Sequence, residues 1–120
     1  MKSLGTHLIL DLEHCDAEIL NNLSKIRKIL IEAAQEGGAT IIGETFHKFE
    51  PVGVTGIISI SESHLCVHTW PEYNYASADI FSCGPNYDVQ KSATILIEGL
   101  HCKSPKIRKI ERGLSNHGGS

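Results

Sequence analysis

Gly56-Ile57-Ile58-Ser59-Ile60-Ser61-Glu62-Ser63-His64-Leu65-Cys66-Val67-His68-Thr69-Trp70-Pro71-Glu72 reads as two apolar strands joined by a short polar turn. The first apolar run ends at Ile60, Ser61-Glu62-Ser63 supplies turn chemistry, and alternation resumes at His64, which places Ser63 at the start of a strand. Period-two alternation then sets His64, Cys66 and His68 on one face and Leu65, Val67 and Thr69 on the other. Outward from this hairpin, residues 5–12 alternate as a strand. Asp16 can cap a helix running to about residue 36, with Ile19, Leu20, Leu23, Ile26, Ile29 and Leu30 on its apolar face and Gly37-Gly38 as its stop. Strands fit 39–49, 53–61, 64–69 and 75–82, a second helix fits 89–101, and 106–112 closes the sheet. The sum is an α/β (α+β) two-layer sandwich with a mainly antiparallel sheet and two helices on one face, which leaves the other sheet face needing a partner.

The turn carries chemistry as well as geometry. A hydroxyl at Ser63 can attack the carbonyl of Glu62 if that peptide is strained or polarised, converting the amide to an ester. Removal of the serine α proton then expels the Glu62 carboxylate and leaves dehydroalanine, which tautomerises and loses ammonia to become a pyruvoyl group. His68 is the natural base, because an imidazole takes and returns protons near neutral pH. The product is a ketone made without an external cofactor, on which amines condense as Schiff bases. Each residue also has a plainer reading: Ser63 as a turn former, His68 as a hydrogen-bonded strand histidine, Cys83 as a small buried hydrophobe. A metal is a rival use of His64, Cys66, His68 and Cys83. Alternate residues on one strand seldom converge on one ion, however, and no Cys-x-x-Cys knuckle is present, so no metal is expected.

Ser61-Glu62-Ser63-His64-Leu65, then His68-Thr69-Trp70-Pro71-Glu72, and Phe81-Ser82-Cys83-Gly84 resemble the prokaryotic S-adenosylmethionine decarboxylase proenzymes. The likeness extends to Lys2-Ser3-Leu4-Gly5, to Gly38-Ala39-Thr40-Ile41-Ile42 with Thr45-Phe46-His47, and to Glu111-Arg112-Gly113, so it spans nearly the whole chain. It implies a single domain, 1–120, that cleaves itself into 1–62 and 63–120, with Ser63 as the pyruvoyl precursor, His68 as processing base and Cys83 as proton donor to the decarboxylated carbon. A thiol of ordinary acidity is mostly protonated at neutral pH and can serve as that acid. The resemblance further implies S-adenosylmethionine as substrate, S-adenosyl-3-methylthiopropylamine for spermidine synthesis as product, and a homodimer of cleaved protomers (an α2β2 assembly). Phe49 matches the position that stacks on the purine, where its plain reading is a core strand residue. Glu72 could accept from both ribose hydroxyls; alone it would be a surface glutamate. Thr55 departs from the family: serine is common there, at a position that supports processing, and threonine keeps the hydroxyl while adding a methyl. Two alternatives stand beside this reading, a pyruvoyl-dependent arginine or ornithine decarboxylase of the same fold, and an uncleaved metal-binding or interaction module.

Composition narrows the partners. The chain of 120 residues has room for one core, and a formal charge of −3 gives no basic stripe for nucleic acid. Lys103, Lys106, Arg108 and Lys109 read as a solvated strand face. The apolar stretch at 8–10 is too short for a signal-peptide core and no run is long enough for a membrane span, so a cytoplasmic location is expected. Cys15, Cys66, Cys83 and Cys102 are scattered without a framework, which in that compartment predicts free thiols. Gly118-Gly119-Ser120 is expected to be disordered.

Overall fold

The computed structural model describes residues 3–113. Lys2 and the Gly118-Gly119-Ser120 tail lie outside them. Six strands, β1 (Gly5–Glu13), β2 (Ile41–Lys48), β3 (Val54–Ile60), β4 (Ser63–Trp70), β5 (Tyr75–Ser82) and β6 (Ser104–Arg112), form one sheet in the order β2-β3-β4-β5-β1-β6. Every neighbouring pair is antiparallel. The consecutive hairpins β2 to β5 need only short turns, and β1 then pairs with β5 and carries β6 on its outer edge.

Alternation in the sequence becomes two faces. Leu8, Leu10 and Leu12 of β1, Ile58 of β3, Leu65 of β4 and Ile80 of β5 are fully buried on the inner face. There they meet Ile26 and Leu30 of α2 (Leu23–Glu36) and Leu96 of α3 (Val89–Gly99). Each such side chain stabilises the fold by about 1.5–3 kcal/mol relative to exposure, and together they make the expected two-layer sandwich. The outer face is different in kind. Its central rows run His64–Phe81–His7, Cys66–Asp79–Ile9 and His68–Ser77–Asp11 across β4, β5 and β1, and Ile57 beside Cys66 and Trp70 at the end of β4 are exposed.

The helix expected over 16–36 is two helices. Asp16 caps α1 (Ala17–Leu20) by accepting from the amides of Glu18 and Ile19. Asn22 caps α2 by accepting from the amide of Lys25 at 3.1 Å, and the neighbouring Asn21 Oδ1 accepts from the Gly53 amide at 2.9 Å. Two successive asparagines offer the backbone side-chain partners in place of helical ones, so the chain breaks there although the apolar periodicity runs straight through. A one-turn 3-10 helix, Pro71–Tyr73, also follows β4, where the sequence pattern suggested no element. The lysine-arginine cluster is divided between faces and partly paired, Lys106 with Glu13 at 3.7 Å and Lys109 with Glu111 at 3.6 Å. Among the described residues no helix is long and apolar enough to cross a membrane.

Candidate active site

β3 and β4 are joined by two residues, with Ile60 paired to Ser63 across the turn. Two-residue hairpins fit the sheet twist best as primed turns, which require positive φ at the first loop residue. Neither Ser61 nor Glu62 has it; the positive φ falls instead on Ser63, at 153°. A non-glycine residue held this way stores about 1–3 kcal/mol of strain. The strain therefore sits on the hydroxyl-bearing residue of the Glu62–Ser63 peptide.

The carbonyl of that peptide is also polarised. Glu62 O accepts from the Cys83 amide at 2.9 Å and from the Cys83 thiol at 3.1 Å, two donors converging on one oxygen just beyond the end of β5. Negative charge developing on that oxygen would be met in place. The Glu62 side chain is fixed separately: its Oε1 accepts from the Thr40 amide at 3.2 Å, and Gly84 leaves the room it occupies, since a Cβ at 84 would lie 2.5 Å from Glu62 Cγ.

At the far end of β4 a second group assembles. His68 Nδ1 and Thr55 Oγ1 are 3.0 Å apart on paired residues of β4 and β3. When Nδ1–H donates to the hydroxyl, Nε2 is left with a free lone pair and can act as a base. Both residues line a cleft of about 450 Å³ together with Phe49, Val52, Trp70 and Glu72, within the range for small-molecule sites. Phe49 is 46 % exposed rather than a core residue, and the loop carrying it is closed by its own amide donating to Gly53 O at 2.8 Å. Gly53, at φ 113°, supplies a backbone that few other residues could. A wider groove of about 660 Å³ on the helix side, lined by Asp16, Asn22, Lys25 and His101, contains none of these groups.

One copy of the chain does not bring the two groups together. Ser63 and His68 are five residues apart on an extended strand, a separation of about 16 Å at 3.3 Å per residue, whereas a base must come within about 3 Å of its proton. The crowding of Ser63 and His68 that the linear motif suggests is absent within one copy of the chain. The electrophile half (Glu62, Ser63, Cys83) and the cleft half (Phe49, Thr55, His68, Glu72) occupy opposite ends of β4.

Comparison with known proteins gives the family. The S-adenosylmethionine decarboxylase family profile matches residues 6–113. The chain is 44% identical over 98% of its length to the S-adenosylmethionine decarboxylase proenzyme of Thermodesulfovibrio yellowstonii, covering 87% of that protein. This chain belongs to the S-adenosylmethionine decarboxylase family. The proenzyme of Thermosipho africanus is 50% identical over 92% of the chain and 84% of that protein. The crystal structure of the adenosylmethionine decarboxylase from Aquifex aeolicus superposes with a TM-score of 0.91 at 30% identity, covering 100% of this chain and 99% of that one.

Within this S-adenosylmethionine decarboxylase fold, sequence reasoning missed a hydrogen-bonded trio. His7 Nε2 and His64 Nε2 each lie 2.9 Å from the same oxygen of Asp79. Burial pushes the Asp79 carboxyl up, but the hydrogen bonds and charges of His64 and His7 together outweigh it and hold the group below the usual carboxylate range. Burial, with Asp79 beside it, pushes the Cys66 thiol up to about 11. These residues lie on three strands and far apart in the chain, so only the β1–β5–β4 order could have revealed them. The metal set considered from the sequence does not converge: His68 is bonded to Thr55 and Cys83 to Glu62, away from His64.

Proposed function

We propose that this chain is a proenzyme that cuts itself between Glu62 and Ser63 into 1–62 and 63–120 and then decarboxylates S-adenosylmethionine, releasing carbon dioxide and S-adenosyl-3-methylthiopropylamine for spermidine synthesis. The observation that carries the reading is the Glu62 carbonyl held by two Cys83 donors beside a strained serine, in a family whose relatives are named proenzymes. Ser63 Oγ attacks the Glu62 carbonyl carbon, the oxygen takes the charge against the Cys83 amide and thiol, and the bond to the Ser63 nitrogen breaks to leave an ester. A base removes the Ser63 α proton, the Glu62 carboxylate departs, and the resulting dehydroalanine takes up water and loses ammonia. Ser63 is thereby converted to a pyruvoyl group, which supplies the electron sink for decarboxylation.

The base is His68 of the partner subunit. A second copy laid on the outer face with its β4 reversed sets one copy's cleft against the other's Ser63, and a two-fold axis produces both sites at once. The exposed Ile57 and Trp70 and the part-buried His7–Asp79–His64 trio of that face gain cover from the same contact. Thr55 orients His68, Phe49 stacks on adenine and Glu72 accepts from the ribose hydroxyls. Cys83 then returns a proton to the substrate carbon. The four free thiols suit a reducing cytosol. Carbon dioxide release measured in parallel with S-adenosylmethionine, arginine and ornithine tests the substrate: S-adenosylmethionine should be turned over fastest, and a faster rate with either plain amino acid overturns the assignment.

A further inference from the structure

Two cysteines that this mechanism does not use meet in space. β1 and β6 stay paired to their ends, Glu13 opposite Ser104. Just beyond, where His14 leaves the extended conformation at φ 58°, one more bond ties the two segments, the Lys103 amide donating to the His14 carbonyl at 3.2 Å. The cysteines flanking that bond meet: Cys15 donates to Leu12 O at 3.4 Å, Cys102 donates to Glu13 O at 3.1 Å, and the Cys102 thiol is a hydrogen-bond neighbour of the Cys15 thiol. Thiols in such contact need little movement to form a disulfide, which spans Cα atoms about 4.4–6.8 Å apart.

The two partners differ in access. Cys15 is 4% exposed, while Cys102 is half-buried. A small cleft of about 210 Å³, lined by His14, Cys15, Asp16, His101 and Lys103, opens on the Cys15 side of the pair. It is large enough for a molecule the size of hydrogen peroxide. Cys102, the more exposed of the two, is the group that meets an oxidant first, while burial and the Cys102 thiol beside it push Cys15 up to about 12.

We propose that Cys15 and Cys102 are an oxidant-sensitive dithiol that hydrogen peroxide converts to a disulfide, and that in the processed protein this bond ties chain 1–62 to chain 63–120. The Cys102 sulfur attacks a peroxide oxygen, the O–O bond breaks, and one oxygen leaves as water while the other remains on sulfur as a sulfenic acid. The Cys15 sulfur then displaces that oxygen, passing its proton to it, so a second water leaves as the S–S bond forms. One peroxide is reduced and two thiols are oxidised. Only the joining of two chains rests on the cleavage reading; the disulfide itself does not.

The test is to treat processed protein with hydrogen peroxide, block remaining thiols with an alkylating agent, and separate the chains under denaturing, non-reducing conditions. The two chains should migrate as one species that dithiothreitol resolves, and Cys15→Ser or Cys102→Ser should keep them apart while Cys66→Ser does not. The Ser63→Ala variant, treated alike and digested, should yield a linked peptide containing Cys15 and Cys102, a readout that needs no cleavage. No linked peptide, a link to Cys66 or Cys83 instead, or joined chains in Cys102→Ser would each overturn the proposal.

Discussion

Cys83 touches the Glu62 carbonyl with two donors of unequal strength, a backbone amide and a thiol. Replacing the side chain removes the weaker one. Cys83→Ala should therefore still cleave, slowed by about tenfold or less, because a thiol is a poor donor and the amide remains. Turnover by the cleaved variant should fall much further, since the proposed mechanism takes its proton from this thiol. Ser63→Ala should show neither cleavage nor turnover; time courses of chain separation and of carbon dioxide release check both. Asp79 gives a pH dependence of known sign. Its carboxyl is held below its ordinary value, so the unfolded chain binds more protons there and the associated stability is full above about pH 4 and is lost as pH falls through the folded value. Asp79→Asn should thus be less stable than the parent at neutral pH, with the difference in melting temperature shrinking as the solution is acidified. The turn position of Ser63 and the strand position of His68 were legible in the sequence because polar turn chemistry and period-two alternation are local signals; Cys83 was singled out only by the family resemblance, its plain reading as a buried hydrophobe giving way to an exposed thiol. Asp79 and His7 were not legible, because each looks like an ordinary outward residue until β5 and β1 are known to be neighbours.

At the level of elements, the strands were read correctly because period-two alternation survives in all the central ones, with Leu8, Leu10 and Leu12 inward and His7, Ile9 and Asp11 outward. The helix break at Asn21-Asn22 escaped notice because apolar spacing reports which face is buried and is insensitive to a cap inserted between two turns. That break matters for the site, since Asn21 holds the Gly53 amide and Gly53 closes the loop that carries Phe49. Asn22→Ala should lower stability by about 1 kcal/mol through loss of the α2 cap, measured by urea unfolding, with the midpoint falling and the slope unchanged. Gly84 links the β5 end to the β3–β4 turn in the same way: its lack of a side chain admits Glu62.

For the molecule as a whole, the proposed function makes self-cleavage a property of two copies, because its groups lie at opposite ends of β4. Co-expression of Ser63→Ala with His68→Ala tests this. Random pairing makes half the dimers mixed, each with one complete site of two, so about a quarter of wild-type cleavage should return, whereas each variant alone stays intact. No recovery would place the base within the same protomer. The claim on which all of this depends is that the chain breaks itself at Glu62–Ser63, and intact mass analysis of freshly purified protein addresses it directly. The account predicts two chains, 1–62 and 63–120, the second beginning with a carbonyl that hydrazine captures. Active protein consisting of a single unbroken chain, its Ser63 still carrying an alcohol, would contradict it.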